Sequence, residues 1–117
     1  MNRIALFARS RDRNQLEEQL QRCRQLADRK GLPWETAAVF KDRGSGMARP
    51  ECRPAYSDML TAIRTGRCDL VLTDDLSRLT RDMMDFVDLL QLVRSGALRL
   101  LTVDGVDTGW AAEEQPR

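Results

Sequence analysis

Residues 69–82, DLVLTDDLSRLTRD, carry the strongest structural signal in this 117-residue chain. The apolar run Leu70–Thr73 predicts a short buried strand, and the polar residues after it predict a turn. Arg78 and Arg81 follow three residues apart, a spacing that would place both guanidinium groups on one side of a helical turn. Such a pair is more often a solvated helix face, but two guanidiniums can also donate paired hydrogen bonds to a phosphate. The position favours phosphate, because open α/β sheets bind ligands just beyond the ends of their strands.

Strand and helix patterns alternate along the rest of the chain. Short apolar or mixed runs predict three further strands, at residues 4–8, 34–40 and 98–103. Between the strands, apolar residues at helical spacing predict three long helices, each of which ends at a glycine. The predicted apolar faces are Leu16, Leu20, Cys23 and Ala27; Tyr56, Met59, Leu60 and Ile63; and Met83, Phe86, Val87, Leu90 and Val93. This alternation implies right-handed crossovers, so we expect one three-layer α/β domain with a mainly parallel central sheet of about four strands and helices on both faces.

The starts of the three helices carry recognisable signals. Asp12, followed by Gln15 three residues later, has the pattern of a capping box for the first helix. Pro54 suits the first turn of the second helix, and Thr80 is expected to cap the third. Residues 41–54 are rich in glycine, serine, proline and arginine and have no periodicity, so they predict a mobile loop.

The composition excludes several classes of protein. The chain has no histidine, which excludes Ser-His-Asp and Cys-His catalytic groups and any histidine-ligated metal. Its three cysteines lack metal-ligand spacing and indicate cytoplasmic thiols. No apolar run has the length of a membrane span or of a secretory signal, so we expect a cytoplasmic protein with no membrane partner. The net charge is only +1, so any nucleic-acid chemistry is expected to come from a local cluster of basic residues or from a basic domain that this chain lacks.

Reactive groups follow three of the predicted strands, whose carboxyl ends should meet at one edge of the sheet. These groups are Arg9 and Ser10; Asp42, Arg43, Ser45, Gly46 and Arg49; and Ser77, Arg78 and Arg81. Arginines that converge on one serine hydroxyl suggest phosphoryl transfer to serine, with the charge stabilised by fixed cations rather than by a metal. The serine proton would need an acceptor, for which Asp42 and an arginine-bound water are candidates. Each residue also has a structural interpretation: Ser10 as a helix cap, Asp42 as a turn residue, and the arginines as solvated charges.

In their order and spacing, several motifs resemble the catalytic domain of the serine recombinases, the resolvase/invertase family. The motifs are FARS (7–10), LEEQ (16–19), FKDRGSG (40–46), RP (49–50), GRCDLVL (66–72), LSRLTRD (76–82) and TVDGV (102–106). The resemblance implies a catalytic domain over residues 1–109, followed by a polar tail at 110–117. Relatives continue into a long dimerisation helix and a DNA-binding domain, and we expect this chain to contain neither.

The resemblance also implies a mechanism of site-specific DNA recombination or integration. Serine attacks a DNA phosphodiester, forms a 5′-phosphoserine link and frees a 3′-hydroxyl, which reverses the bond after subunits of a tetramer exchange strands. No cofactor and no metal are needed. By this resemblance Ser10 is the nucleophile and Asp42 supports the arginines around the scissile phosphate, which are Arg9, Arg49, Arg78 and Arg81. The implied partners are DNA, contacted through its phosphates, and further copies of the chain in a homodimer or tetramer.

The chain departs from the family pattern next to the expected nucleophile. Relatives usually place one residue between the first arginine and the serine, whereas Arg9 and Ser10 are adjacent. Ungapped matching would place Arg11 at the nucleophile position, while counting back from residues 16–19 restores Ser10 and implies a one-residue deletion. In an extended strand, such a slip would turn the serine to the opposite face.

Two further departures and two alternative functions remain open. Ser77 stands where many relatives carry aspartate, and the loop before Arg49 is shorter than in many of them. One alternative is a catalytically degenerate domain that acts as a dimerisation or regulatory module. The other is an unrelated flavodoxin-like phosphate binder, which the absence of glycine from residues 9–13 argues against.

Overall fold

The computed structural model describes residues 3–44 and 53–109 of the chain. Four parallel strands form one sheet in the order β2-β1-β3-β4. The strands are β1 (Ile4–Arg9), β2 (Ala38–Asp42), β3 (Leu70–Thr73) and β4 (Arg99–Thr102). Every residue of the two central strands, β1 and β3, is buried, which explains why both are continuous apolar runs in the sequence.

Helices cover both faces of this sheet. They are α1 (Arg13–Arg29), α2 (Pro54–Arg64), the short α3 (Leu76–Leu79) and α4 (Met83–Arg94). Side chains alternate along β1, so that Leu6 packs in the cluster formed with α1 and Phe7 packs in the cluster formed with α2, α3 and α4. The predicted three-layer α/β architecture is therefore confirmed. None of the described helices is both long enough and apolar enough to cross a membrane.

At α1 the predicted Asp12 cap and glycine end are confirmed, but the capping box is not, because the Asp12 N–H donates to Ser10 Oγ and Gln15 accepts from the Ser10 hydroxyl. The Asp12 carboxylate accepts a hydrogen bond from the Asn14 N–H at 2.9 Å and caps the helix. At the other end, Gly31 has a φ of +68°, and the N–H of the following Leu32 donates to the Ala27 carbonyl. Glycines at the ends of α2 and α4 make the same arrangement, which requires a left-handed residue just beyond the helix.

The second strand differs from its prediction at both ends. The predicted strand covered residues 34–40, but the observed strand is Ala38–Asp42. Its start is delayed because residues 34–37 form a turn, closed by a hydrogen bond from the Ala37 N–H to the Trp34 carbonyl at 3.0 Å. Its end includes Lys41 and Asp42, which were expected in the loop. The remainder of the predicted loop falls largely on residues 45–52, which lie outside the described residues.

The segment after β3 also differs from its prediction. Thr80 does not cap the start of α4; it has extended backbone angles and ends α3. The residue that caps α4 is Asp82, whose carboxylate accepts the N–H groups of Met84 and Asp85. Asp82 replaces Thr80 in this role because aspartate is at least as good an N-cap as threonine and begins the helix two residues later. Arg81 therefore lies between two helices, and the helical turn predicted to carry both Arg78 and Arg81 is wrong.

The buried face of α4 is rotated from the predicted one. Asp85 and Leu89 are its buried residues. Met83 and Leu90, which were expected in the core, are 74% and 41% exposed. The predicted Val87 is exposed as well. The rotation follows from Asp85, which is turned inward by contacts with other buried polar groups.

Candidate anion-binding site at the carboxyl edge of the sheet

A cleft of about 320 Å³ opens at the carboxyl edge of the sheet, between β1 and the loop after β3. The strand order reverses here, because β2 lies on one side of β1 and β3 on the other. Parallel α/β sheets bind ligands at such a point. The lining residues are Arg9, Ser10, Arg11, Gln15, Gly44, Arg78 and Arg81. Four of them are arginines and none is acidic, so the cleft has the chemistry of an anion site.

Arg9 connects the loops that form the cleft. Its guanidinium donates to three backbone carbonyls: from Nε to Arg78 at 3.0 Å, from one terminal nitrogen to Gly44 at 2.7 Å, and from the other to Ser77 at 2.8 Å. Gly44 follows β2, whereas Ser77 and Arg78 follow β3. Arg9 therefore fixes the relative positions of the loops after β1, β2 and β3.

The backbone of Arg9 is itself held by a buried amide. Gln19 on α1 is fully buried, accepts the Arg9 N–H at 3.1 Å and donates to the Arg9 carbonyl at 3.0 Å. The pairing of β1 with β3 ends at Phe7, and these two bonds satisfy the Arg9 backbone instead. The backbone of Arg9 is therefore fixed where it enters the cleft.

Electrostatic repulsion is concentrated at Arg9. Its pKa is lowered, first by burial and then by the positive charges of Arg53, Arg78 and Arg81. Burial and nearby positive charges both disfavour the protonated form of Arg9. A bound anion would relieve this repulsion.

Ser10 lies in the same cleft as Arg9. Its hydroxyl donates to Gln15 Oε1 at 2.8 Å and accepts the Asp12 N–H at 3.1 Å. Because β1 ends at Arg9, the alternation of side chains along a strand does not turn Ser10 away from the cleft. The structural interpretation holds in part, since the hydroxyl satisfies one backbone amide, but Asp12 is the cap of α1. Arg11, the residue at the ungapped position, also lines the cleft.

Arg78 and Arg81 reach the cleft from the loop after β3. Arg78 donates to the Arg9 carbonyl at 3.5 Å, and its Nε lies 3.9 Å from a carboxylate oxygen of Asp75. Arg81 is exposed and lines the same cleft. The two arginines are therefore together in space, although not by the helical spacing that the sequence suggested.

Asp42 does not line the cleft; it joins the end of β2 to the start of α2. Its two carboxylate oxygens accept the N–H groups of Ala55 at 3.0 Å and Tyr56 at 2.9 Å, which are among the unpaired amides of the first helical turn. The Asp42 backbone carbonyl accepts the Ser10 N–H at 3.2 Å. Asp42 thus links the loop of Ser10 to α2 without lying among the residues that line the cleft.

Arg53 is the residue that the sequence interpretation missed. It is only 2% exposed, and its guanidinium carbon lies 4.1 Å from the centre of the Tyr56 ring. It donates to the Leu79 carbonyl and lies 3.9 Å from Asp42 and 4.0 Å from Asp85. Its Nε and one terminal nitrogen have no hydrogen-bond partner among the described residues. Arg53 therefore holds the start of α2 against the loop that carries Arg78 and Arg81.

A signal for Arg53 was present in the sequence. The chain contains two Arg-Pro pairs, at residues 49–50 and 53–54, and the first was assigned to the site. Only the second pair immediately precedes the proline that begins α2. Arg49, Ser45 and Gly46 lie outside the described residues. Within residues 3–44 and 53–109, no three histidine, cysteine, aspartate or glutamate side chains are grouped as a metal site would need.

Comparison with known proteins gives a consistent picture. Residues 5–115 match the family described as "Resolvase, N terminal domain". Among solved structures, the N-terminal catalytic domain of TP901-1 integrase has a TM-score of 0.77 and 24% identity, over 95% of this chain and 85% of that one. A resolvase family site-specific recombinase from Streptococcus pneumoniae has a TM-score of 0.72 and 26% identity, over 92% and 76%. The C-terminal catalytic domain of ISC1926 TnpA, an IS607-like serine recombinase, has a TM-score of 0.70 and 24% identity, over 86% and 68%. No curated protein matches the chain. These likenesses confirm the expected fold.

Proposed function

This chain belongs to the resolvase N-terminal domain family, and on that premise we propose that it is the catalytic domain of a site-specific DNA recombinase. It breaks and rejoins DNA through a 5′-phosphoserine intermediate, with Ser10 as the nucleophile. The arginines around the scissile phosphate are Arg9, Arg78 and Arg81, together with Arg49. The observation that supports this proposal is the meeting of Ser10 with three of these arginines in one cleft that has no acidic lining residue.

The chemistry needs a proton acceptor as well as cations. Ser10 Oγ attacks phosphorus and gives up its proton, the bond from phosphorus to the 3′-oxygen breaks, and the leaving oxygen takes up the proton that the acceptor returns. The guanidiniums stabilise the charge that develops on the remaining phosphate oxygens. Asp42 supports the site by fixing the start of α2, and its carboxylate already accepts two backbone amides. We therefore favour an arginine-bound water over Asp42 as the acceptor of the serine proton.

The proposal includes the partners and the domain assignment. The domain of residues 1–109 contacts DNA phosphates, and a groove-reading element is needed to choose a sequence. Residues 110–117 are a polar tail in this assignment. Strand exchange requires a homodimer that assembles into a tetramer. The cytoplasm, whose reducing conditions keep thiols free, is the proposed location.

The test is covalent capture of DNA by Ser10. The full chain is mixed with a pool of random-sequence duplexes that contain 3′-bridging phosphorothiolates, because a thiol leaving group reverses the reaction poorly. Wild type should give a protein–DNA adduct on a denaturing gel, and mass spectrometry should place it at Ser10. Ser10→Ala should abolish the adduct. Ser77→Ala is the matched control, since Ser77 follows β3 beside the cleft, and it should retain the adduct.

Three results would contradict this assignment. An adduct of wild-type yield in Ser10→Ala, or an adduct that maps to Ser77, would exclude Ser10 as the nucleophile. Self-association of the wild-type chain without any adduct across the pool would favour the alternative function, a degenerate domain that acts as a dimerisation or regulatory module.

A further inference from the structure

A second basic cleft lies beside the one that holds Ser10. It has a volume of about 410 Å³ and is lined by Arg13, Leu16, Glu17, Lys41 and Arg43. Its walls are the first turns of α1 and the end of β2. Arg43 joins the two clefts, because it lines the second and donates to the carbonyl of Arg11, at 3.4 Å, in the first. The two clefts are therefore adjacent on the surface.

The charge of this surface contrasts with that of the whole chain. The two clefts together gather seven basic residues and one carboxylate, that of Glu17. The net charge of the chain is only +1, so the remaining residues carry a net charge of five negative units. Basic residues are thus concentrated in the two clefts, which favours binding of a polyanion there.

We propose that the second cleft binds backbone phosphates of the same DNA strand that is held at Ser10, next to the scissile phosphate. This inference rests on the proposed function. A DNA strand carries one phosphate per roughly 3.4 Å of helix axis, so a strand that occupies the first cleft must extend along the adjoining surface. Arg13, Lys41 and Arg43 are all exposed to solvent there. Their charged groups are therefore accessible to the phosphates of a bound strand.

Glu17 forms an ion pair with Lys41 in the second cleft of the free protein. Its carboxylate lies 3.6 Å from Lys41 Nζ, and both side chains are about half exposed. Such exposed ion pairs contribute little to stability, so a phosphate can displace Glu17 from Lys41 at small cost. Removing the carboxylate should strengthen DNA binding, which is a gain of affinity that damage to the fold would not produce.

The experiment measures how DNA binding depends on salt. The full chain is titrated into a fluorescent 20-base-pair duplex of arbitrary sequence at several KCl concentrations. The variant Lys41→Gln/Arg43→Gln should lower the magnitude of the slope of log K against log[KCl] by about 1 to 2, because each phosphate contact contributes about 0.9. Glu17→Gln should bind a few-fold more tightly than wild type.

A matched double variant controls for net charge. Arg29→Gln/Arg64→Gln also removes two positive charges, but these arginines lie in the last turns of α1 and α2, at the opposite edge of the sheet. This variant should keep the wild-type slope. If both double variants lose the same slope, only net charge matters and the second cleft is not a phosphate site. Absence of measurable DNA binding by wild type at low salt would also overturn the inference.

Failure of this inference can be distinguished from failure of the proposed function. Ser10→Ala should bind the duplex with the wild-type slope, because it retains every basic side chain. A lowered slope in Lys41→Gln/Arg43→Gln, without any covalent adduct in wild type, would reject the recombination chemistry and keep the second cleft. An adduct in wild type, with an unchanged slope in that variant, would keep the chemistry and reject the second cleft.

Discussion

At the scale of single residues, the site depends on a buried charge cluster behind the cleft. Arg53 lies between the carboxylates of Asp42 and Asp85, and Asp85 also accepts a hydrogen bond from the Thr80 hydroxyl at 3.3 Å. Burial lowers the pKa of Arg53. Burial, followed by the nearby carboxylate of Asp82, raises the pKa of Asp85. Burial therefore disfavours the charged forms of both Arg53 and Asp85, next to the loop that carries Arg81.

Asp85 should make the stability of the protein depend on pH in a defined direction. Because its native pKa is raised above the ordinary value of 3.8, its contribution to stability is complete below that value and is lost as the pH rises through the native pKa. The free energy of unfolding of wild type, relative to Asp85→Asn, should therefore fall from pH 3 towards neutrality. Urea unfolding of both proteins across this range measures the difference.

Asp107 supplies a control of opposite sign. Its two carboxylate oxygens accept hydrogen bonds from Arg99 at 3.0 and 2.8 Å, and these bonds lower its pKa. The stability of wild type relative to Asp107→Asn should therefore rise as the pH increases through the acidic range. If the two differences change with pH in the same direction, the assigned environment of Asp85 is wrong.

The sequence was sufficient to predict some members of the site and not others. Arg9, Ser10 and the pair Arg78 and Arg81 follow buried strands, so a parallel sheet implied that they would meet. Arg53 follows no strand, and one of its partners, Asp85, lies outside the apolar face that was predicted for its helix. The Arg53-Pro54 pair marks the start of α2, but nothing local in the sequence shows that Arg53 is buried beside Asp42 and Asp85.

At the scale of elements, α4 shows how a polar residue can override apolar periodicity. The pattern Met83, Phe86, Val87, Leu90 and Val93 is a good helical stripe, but Arg53 and Thr80 hold Asp85 in the interior. This places Leu89 in the core and turns Leu90 outward. The starts and glycine ends of the other long helices were predictable because they rest on local backbone hydrogen bonds. The rotation of α4 depends on tertiary partners and was not.

Two neighbouring leucines test this rotation. Leu89 is 1% exposed and packs in the cluster formed with α2, so Leu89→Ala should lower the free energy of unfolding by about 2 to 5 kcal/mol. Leu90→Ala should change it by less than about 0.5 kcal/mol, because Leu90 is on the surface. Urea midpoints with matched slopes provide the comparison. A larger loss for Leu90→Ala than for Leu89→Ala would support the face expected from the periodicity alone.

At the scale of the whole molecule, the sheet topology gathers basic residues of a nearly neutral chain in one place. Loops after β1, β2 and β3 all end at one edge, and Arg9 binds them together through three carbonyls. Arginines that are separated by about seventy residues in sequence therefore share one cleft. Among the described residues, the four arginines of this cleft have no acidic lining residue beside them, so we expect an anion to bind there.

Phosphate should accordingly stabilise the native protein. Ligand binding to the native state alone adds RT ln(1 + [L]/Kd), about 2.7 kcal/mol at a hundred times Kd. Inorganic phosphate should raise the thermal unfolding midpoint of wild type above that in NaCl of equal ionic strength, and Arg81→Gln should lose most of this difference. Arg64→Gln, which removes an equal charge from the end of α2, should retain it. An equal response of all three proteins would show that phosphate acts only as a general salt.

The hydrogen bond from Ser10 to Gln15 keeps the serine hydroxyl protonated and unactivated in the free protein. An amide oxygen accepts a hydrogen bond but does not take up a proton at neutral pH. While the hydroxyl donates to Gln15 and accepts from the Asp12 amide, no base in the described part of the chain lies beside it to make it a nucleophile. Under the proposed function, Ser10 would have to exchange its bond to Gln15 for a proton acceptor, so we expect bound DNA to precede activation of the hydroxyl.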